Sequence, residues 1–168
     1  MELINNKSIT EKEYVETGNI QMNSERIITT GLNTCIYIVI KTKFAVIGWH
    51  FSRDNMSGKN MERIVTILNN IKDSFVSGYI IPGEDRQRDL TLHKDSRTMK
   101  TFPNLDPAES RDFLVSIISK YPWYQKLNQL NRIENYKQFV IFEKSKELPY
   151  IIDDSKLFDS GCNYDAGK

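Results

Sequence analysis

Two short apolar runs separated by a polar break constrain the fold more than any other feature of this chain. Residues 35–40 read Cys-Ile-Tyr-Ile-Val-Ile, residues 44–49 read Phe-Ala-Val-Ile-Gly-Trp, and residues 41–43 between them read Lys-Thr-Lys. β-Branched and aromatic residues favour strands, and runs this close together are most simply joined by a tight turn. The sequence therefore predicts a β-hairpin with a loop of two or four residues.

Both loop lengths pair the two runs in the same register. That register places Ile36 opposite Trp49 and Cys35 directly opposite His50. Directly opposed side chains share one face of a sheet, with Cβ atoms about 5 Å apart. A thiolate is a good nucleophile, and a nearby imidazole can accept the proton of the thiol. The hairpin therefore predicts a cysteine and a histidine close enough for nucleophilic catalysis.

Alternation along the two runs divides their side chains between two faces of the predicted sheet. The face expected to point into the core holds Ile36, Ile38, Ile40, Ile47 and Trp49. The other face holds Cys35, Tyr37, Val39, Val46, Gly48 and His50. Because Gly48 has no side chain and is predicted to lie opposite Tyr37, this second face is expected to contain a shallow cleft.

The same spacing also has a purely structural interpretation. Cysteine thiols are among the most buried groups in proteins, and a single histidine is often a satisfied core or surface residue. A register slip of one residue would turn His50 to the opposite face. The spacing alone leaves both interpretations open, and the segment before Cys35 carries the stronger signal.

The ten residues that end at Cys35 read Arg-Ile-Ile-Thr-Thr-Gly-Leu-Asn-Thr-Cys, a strand-like run that breaks at Gly31. From Thr29 to Cys35 the pattern is Thr-x-Gly-Leu-x-x-Cys, followed by His50. It resembles the chemoreceptor glutamine deamidase family, whose signature is Thr-x-Gly-Leu-Gly-Ser-Cys with a downstream histidine. It is also similar to the deamidase domains of the cytotoxic necrotizing factors and of Burkholderia lethal factor, which carry Leu-Ser-Gly-Cys and then a catalytic histidine.

The resemblance implies a role for each matching residue. Cys35 would be the nucleophile, His50 the general base and Thr29 the third member, which orients His50 through its hydroxyl or its backbone carbonyl. Asn33 and Thr34 stand where the chemoreceptor deamidases have Gly and Ser. Asn is one of the residues that best tolerate a left-handed backbone, and Thr34 retains a hydroxyl. Backbone N–H groups of this turn are the expected donors to an oxyanion.

The activity that this resemblance implies is that of a cysteine-dependent protein glutamine deamidase, a hydrolase that converts glutamine to glutamate and releases ammonia. It needs no cofactor, and transglutamination is an expected side activity. The glycine-rich elements that follow the histidine in the chemoreceptor deamidases are not found after His50. The resemblance therefore favours a bacterial toxin or effector, a virulence factor that acts on a host protein such as a small GTPase or a translation factor.

Three alternatives remain open. The first is a chemoreceptor glutamine deamidase in bacterial chemotaxis, and the second is a non-catalytic binding module that retains the fold. The third is a papain-like cysteine protease or acyltransferase, a class that usually has a helix behind the cysteine and an Asn or Asp partner. Strand-like residues follow Cys35 instead, which disfavours the third alternative.

Composition limits the partners and the compartment. The 168 residues are 39% hydrophobic with a net charge of +1, which fits a single catalytic domain over residues 1–168, with residues 1–19 and 155–168 expected to be mobile. Interspersed charges argue against nucleic acid, and no apolar run approaches a membrane span. With no signal peptide recognised, the expected location is the bacterial cytoplasm or, after delivery, the host cytosol. The expected form is a monomer whose partner is a protein with a surface glutamine.

The remaining cysteine and histidine carry weaker signals. Cys162 lies in the polar segment Ser-Gly-Cys-Asn-Tyr-Asp, with no strand or histidine after it, and both cysteines are expected to be reduced thiols. His93 lies among charged residues, which is typical of a solvated surface histidine. No spacing of His, Cys or carboxylates is typical of a metal site, so no metal is expected.

Hydrophobic periodicity and turn signals predict the other elements. Helices are expected from Met61 to Phe75 and from Pro107 to Tyr121, the latter with Asp106 as N-cap and ended by Pro122. Strands are expected near residues 26–30, 79–81, 138–142 and 148–152. The predicted fold is an α/β (α+β) layered sandwich: a central, mostly antiparallel sheet built around residues 26–50, so that it contains both the strand near 26–30 and the Cys–His hairpin, with at least two packed helices.

Overall fold

The computed structural model describes residues 9–33, 35–52, 58–84 and 107–153, with the backbone alone for residues 107–110. These residues form eight strands, two α-helices and two short 3₁₀ helices. The strands are β1 (Ile20–Asn23), β2 (Arg26–Thr29), β3 (Ile36–Thr42), β4 (Val46–Phe51), β5 (Phe75–Pro82), β6 (Asn128–Gln129), β7 (Phe139–Glu143) and β8 (Tyr150–Ile152). The helices are α1 (Gly58–Asn69) and α2 (Pro107–Ile118), with 3₁₀ turns at Lys72–Ser74 and Pro122–Lys126.

Two sheets form the β part of the molecule. The central sheet has the order β1-β4-β3-β5-β6, with antiparallel pairing except between β5 and β6, and the second sheet is antiparallel with the order β2-β7-β8. The predicted layered α+β architecture with a mostly antiparallel central sheet is confirmed. The expectation that β2 belongs to the same sheet as the hairpin is wrong. The chain leaves the second sheet at Gly31, whose φ of 78° is a left-handed conformation that favours glycine.

Both faces of the central sheet are buried, and the predicted division of side chains between them is confirmed. One face packs against the helices, in a cluster that includes Ile36, Ile38, Ile40, Ile47, Trp49, Ile64, Leu68, Leu114 and Ile118. The other face packs against the second sheet, in a cluster that includes Cys35, Tyr37, Val39, Val46, Ile27, Val140 and Phe142. The hairpin is therefore the middle layer of the fold, which is why its strands are apolar on both sides.

The hairpin forms, but its register differs by two residues from the predicted one. His50 lies opposite Tyr37 rather than Cys35, and Trp49 lies opposite Ile38 rather than Ile36. Because the side-chain period of a strand is two, this shift leaves every residue on its predicted face. Cys35 therefore shares a face with His50, but as a diagonal neighbour instead of a directly opposed one.

Thr42 is the cause of the shift. Its hydroxyl accepts hydrogen bonds from the backbone N–H groups of Phe44 (3.2 Å) and Ala45 (3.0 Å), and its own N–H donates to the Ala45 carbonyl at 2.8 Å. These bonds make Lys43 and Phe44 the two loop residues. Phe44 is 75% exposed, so a residue that the hydrophobic pattern assigns to a strand lies at the tip of the turn.

The cleft predicted beside Gly48 does not form. Gly48 lies opposite Val39, and the Tyr37 side chain fills the space above it. A methyl group at Gly48 would lie 2.4 Å from Tyr37 Oη and 2.5 Å from Ile27 Cδ1. The missing side chain therefore accommodates a buried tyrosine and does not open a surface for a ligand.

The remaining elements follow the predicted order with shifted bounds. Helix α1 ends at Asn69, and the residues that periodicity assigns to the end of that helix form a 3₁₀ turn and the start of β5. Strand β5 begins before the predicted residues 79–81 and includes Gly78, where a methyl group would lie 2.4 Å from Leu127 Cδ2. Helix α2 begins at Pro107 as predicted, and Asp106 lies outside the described residues.

The structure describes residues 9–19 of the N-terminal segment that the sequence analysis expects to be mobile. Residues 13–15 pair with β2, where Tyr14 forms a parallel bridge with Ile28, and Gly18 and Asn19 form hydrogen bonds with the backbone of His50 in β4. Arg26 of β2 and Glu13 of this segment form an ion pair at 3.2 Å. Strand β1, whose alternating polar residues give no clear strand signal, follows directly. No helix among the described residues is long and apolar enough to cross a membrane.

Candidate active site

Thr29 and His50 meet in the buried layer between the two sheets. Thr29 is the last residue of β2 and His50 the fifth of β4, and both side chains are 0% exposed. Thr29 Oγ1 and His50 Nδ1 are 2.8 Å apart, a good hydrogen-bond distance. Of the two groups of Thr29 that could contact His50, the hydroxyl and the backbone carbonyl, the hydroxyl makes this contact.

The Val15 carbonyl decides the direction of that hydrogen bond. Thr29 Oγ1 donates its single proton to the Val15 carbonyl oxygen at 2.7 Å. The hydroxyl can therefore only accept from His50, so the proton of the neutral imidazole lies on Nδ1. The other ring nitrogen, Nε2, has no hydrogen-bond partner among the described residues. This tautomer leaves a buried lone pair on Nε2, as a general base requires.

The N-terminal segment also fixes the backbone of His50. The N–H of His50 donates to the Asn19 carbonyl at 3.0 Å, and the His50 carbonyl accepts from the N–H of Gly18 at 2.8 Å. Val15 in turn donates its N–H to the Ile28 carbonyl at 2.8 Å. Residues 15–19 therefore hold both the ring and the main chain of His50. No sequence signal marks these contacts, because a backbone carbonyl has no residue-type signature.

Burial lowers the pKa of His50 from its ordinary value of 6.5 to about 4. The cause is desolvation, which disfavours the charged imidazolium. The imidazole is therefore neutral at pH 7 and able to accept a proton.

The same shift predicts how stability depends on pH. The unfolded chain protonates His50 near pH 6.5 and the folded chain only near pH 4, so the unfolded state binds the proton first as the pH falls. The contribution of His50 to the free energy of unfolding is therefore fully present above about pH 6.5. Acidification to about pH 4 removes about 3 kcal/mol of it. Denaturant unfolding at pH 7 and pH 4 measures it.

His50→Gln supplies the matched control for that measurement. This variant lacks the imidazole but retains every carboxylate, so it should lose about 3 kcal/mol less than the parent between the two pH values. Equal losses in the two proteins would show that His50 is not buried as a neutral group.

Cys35 lies immediately before β3, on the face that His50 occupies. It is 9% exposed and belongs to the cluster between the sheets. Since Tyr37 is the residue opposite His50, Cys35 is a diagonal neighbour, for which Cα atoms are about 7–8 Å apart and Cβ atoms somewhat closer. The structure therefore brings all three predicted catalytic residues to one end of the same buried layer.

The turn before Cys35 differs from its prediction in two respects. The left-handed residue is Gly31 and not Asn33. The N–H of Asn33, expected to bind an oxyanion, already donates to the Gly31 carbonyl at 3.0 Å. Thr34, the other residue predicted there, lies outside the described residues. The Asn33 amide is therefore not available as an oxyanion donor in this conformation.

The other sequence candidates add nothing to the site. Cys162 and His93 lie outside the described residues. Within the described ranges, no three His, Cys, Asp or Glu side chains group together in a way that could hold a metal ion. The chemistry that this arrangement can perform is proton transfer to His50 and nucleophilic attack by Cys35.

Thr29→Val removes the hydroxyl that joins Val15 to His50 at nearly constant shape. The buried carbonyl of Val15 and the Nδ1–H of His50 would both lose their partner, so we expect a loss of about 1–3 kcal/mol in the free energy of unfolding. Denaturant unfolding measures this loss. Imidazole ¹⁵N chemical shifts should show that the Nδ1–H tautomer no longer predominates.

Thr29→Ser is the matched control because it keeps the hydroxyl and removes only a methyl group. We expect it to retain the parent tautomer. If Thr29→Val also retained the parent tautomer and stability, the hydroxyl would have no part in orienting His50.

No protein-family model and no curated protein matches this chain.

Proposed function

We propose that this protein is a cysteine-dependent glutamine deamidase whose substrate is a protein with an exposed glutamine. The observation that carries the proposal is the hydrogen-bonded series from the Val15 carbonyl through the Thr29 hydroxyl to His50 Nδ1. This series leaves the Nε2 lone pair directed away from Thr29, on the sheet face that Cys35 shares. It is the arrangement that a histidine needs in order to activate a neighbouring thiol.

The reaction proceeds in two steps. His50 Nε2 accepts the thiol proton while Cys35 Sγ attacks the carboxamide carbon of the glutamine. The tetrahedral intermediate collapses as the imidazolium returns the proton to the departing nitrogen, which releases ammonia and leaves a thioester on Cys35. A water molecule then gives a proton to His50 and attacks the thioester, which releases glutamate and restores the thiol.

The position of Cys35 supports this chemistry over that of a papain-like protease. A papain-like cysteine is expected to lie in front of a helix, whereas Cys35 precedes β3. The sequence resemblance adds the substrate class, a protein glutamine. Host small GTPases and translation factors are the first candidates, because the similar toxins favour them, and chemoreceptors follow from the other resembling family.

Mass spectrometry of treated proteins tests the proposal and identifies the substrate in the same experiment. Eukaryotic and bacterial lysates, with purified small GTPases, translation factors and chemoreceptor domains, are incubated with the Cys162→Ser variant, in which Cys35 is the only thiol. A gain of about one dalton at a defined glutamine is expected. Addition of a primary amine would reveal transglutamination as a larger mass gain at the same position.

The control is the same variant alkylated at Cys35 before incubation. It should produce no mass gain. If no glutamine changes with the active protein, or if the alkylated protein is equally active, the deamidase proposal is wrong. Cleavage of peptide bonds in place of mass gain would indicate a protease.

A further inference from the structure

Gly83 lies against the turn that carries Cys35. It directly follows β5, and three backbone carbonyl oxygens of the turn crowd around it. A methyl group at Gly83 would lie 2.4 Å from the oxygen of Asn33, 2.7 Å from that of Cys35 and 2.8 Å from that of Leu32. All three oxygens belong to the main chain, so rotation of a side chain cannot relieve these close contacts. Only glycine fits here without movement of the turn.

Two hydrogen bonds tie the same turn to the end of β5. The N–H of Gly83 donates to the Cys35 carbonyl at 2.9 Å, and the N–H of Glu84 donates to the Leu32 carbonyl at 2.8 Å. The first bond holds the residue that supplies the thiol. The second holds the beginning of the turn, so both of its ends are fixed to one short segment.

The segment around Tyr136 holds the opposite side. The Tyr136 N–H donates to Glu84 Oε2 at 2.8 Å, and its carbonyl accepts from the N–H of Gly31 at 2.9 Å. The hydroxyl of Thr30 donates to the Gln138 carbonyl at 3.0 Å. The Glu84 side chain therefore connects the two supports of the turn.

We propose that Gly83 is a positioning residue for the Cys35 thiol, and that with Glu84 it clamps the turn at the place where His50 can reach the nucleophile. The proposal rests on the proposed function for its kinetic consequence, but the clamp itself concerns only the position of the turn. A near-attack geometry is sensitive to displacements of about 1 Å, which can reduce a rate by about 10²-fold.

Gly83→Ala should displace the turn away from β5 and expose the thiol. We expect alkylation of Cys35 by iodoacetamide to become at least about fivefold faster. In the opposite direction, kcat for ammonia release from carbobenzoxy-Gln-Gly should fall about 10- to 100-fold with little change in KM. Because the alkylation rate should rise while kcat falls, the two measurements distinguish a displaced thiol from one that is simply less reactive.

The measurements use the full chain in the Cys162→Ser background, so that Cys35 is the only thiol. Gly58→Ala is the matched control, because a methyl group at Gly58 meets nothing within 4 Å. It should leave both rates at parent values. Denaturant unfolding and the imidazole ¹⁵N signals of His50 verify that the fold and the base are intact.

Glu84→Ala is the second variant, since it removes the acceptor of the Tyr136 N–H without adding atoms near the turn. It should change both rates in the same directions by smaller factors, and it carries the test if Gly83→Ala does not fold. The clamp is refuted if folded Gly83→Ala, or failing that Glu84→Ala, keeps both rates within twofold of the parent. Faster alkylation in Gly83→Ala, together with no mass gain at any protein glutamine even with the parent, would uphold the clamp and refute the deamidase proposal.

Discussion

Cys35→Ser is expected to lower the proposed deamidation activity by at least about three orders of magnitude while the protein remains folded. A hydroxyl has a far higher pKa than a thiol, so a base with the modest strength of His50 cannot generate enough of the nucleophile. The substitution is nearly isosteric, and Cys35 lies at the edge of its cluster with 9% exposure, so little stability should be lost. Initial rates of ammonia release and mass gain at the target glutamine provide the measurement.

Cys162→Ser is the matched control for this loss. It makes the same chemical change at the other cysteine of the chain and should retain the parent rate. If activity survived in Cys35→Ser and disappeared in Cys162→Ser, the nucleophile would be Cys162 and the assignment to Cys35 would be wrong.

His50→Gln is expected to reduce kcat/KM by about 10²- to 10⁴-fold, the contribution usual for a positioned general base. Glutamine retains a group that can donate to Thr29 but has no basic nitrogen. In the parent, kcat/KM should rise with pH through about 4, because burial lowers the pKa of His50 to that value and only the neutral ring can accept a proton. The variant should lack this acid limb. A pH–rate profile of both proteins is the measurement.

Tyr37→Phe provides the control for substitutions beside His50. Tyr37 is the residue opposite His50, and its buried hydroxyl has no hydrogen-bond partner among the described residues. Loss of that hydroxyl should leave kcat/KM within about twofold of the parent and should not destabilise the fold. A large loss of activity in Tyr37→Phe would mean that the tyrosine takes part in the reaction.

Much of the fold was predictable because hydrophobic alternation carries the information. The faces of β3 and β4 follow from side-chain alternation, the strand at β7 from a run of β-branched and aromatic residues, and the start of α2 from Pro107 at the first helical position. The register was not predictable from that pattern, since an even shift preserves the faces. It depends on the Thr42 hydroxyl, which stabilises one turn over its neighbour by local hydrogen bonds.

The candidate site was predictable only where side chains carry the chemistry. Cys35 and His50 can be recognised by residue type and spacing, whereas Thr29 was indicated by the resemblance of the segment before Cys35 to glutamine deamidases. The contributions of Val15 and Gly83 cannot, because one acts through a main-chain oxygen and the other through the absence of a side chain. Both depend on contacts between segments that are distant in sequence, which a local pattern does not record.

The pairing of β2 with β7 has a consequence for the newly made chain. Thr29 is held in its strand opposite Val140, which the ribosome adds long after Cys35 and His50 have been made. Until β7 docks, β2 has its contacts with residues 13–15 but lacks the strand that pairs with the backbone of Thr29. Cys35 and His50 are therefore synthesised well before the strand that pairs with Thr29, the residue whose hydroxyl fixes the tautomer of His50.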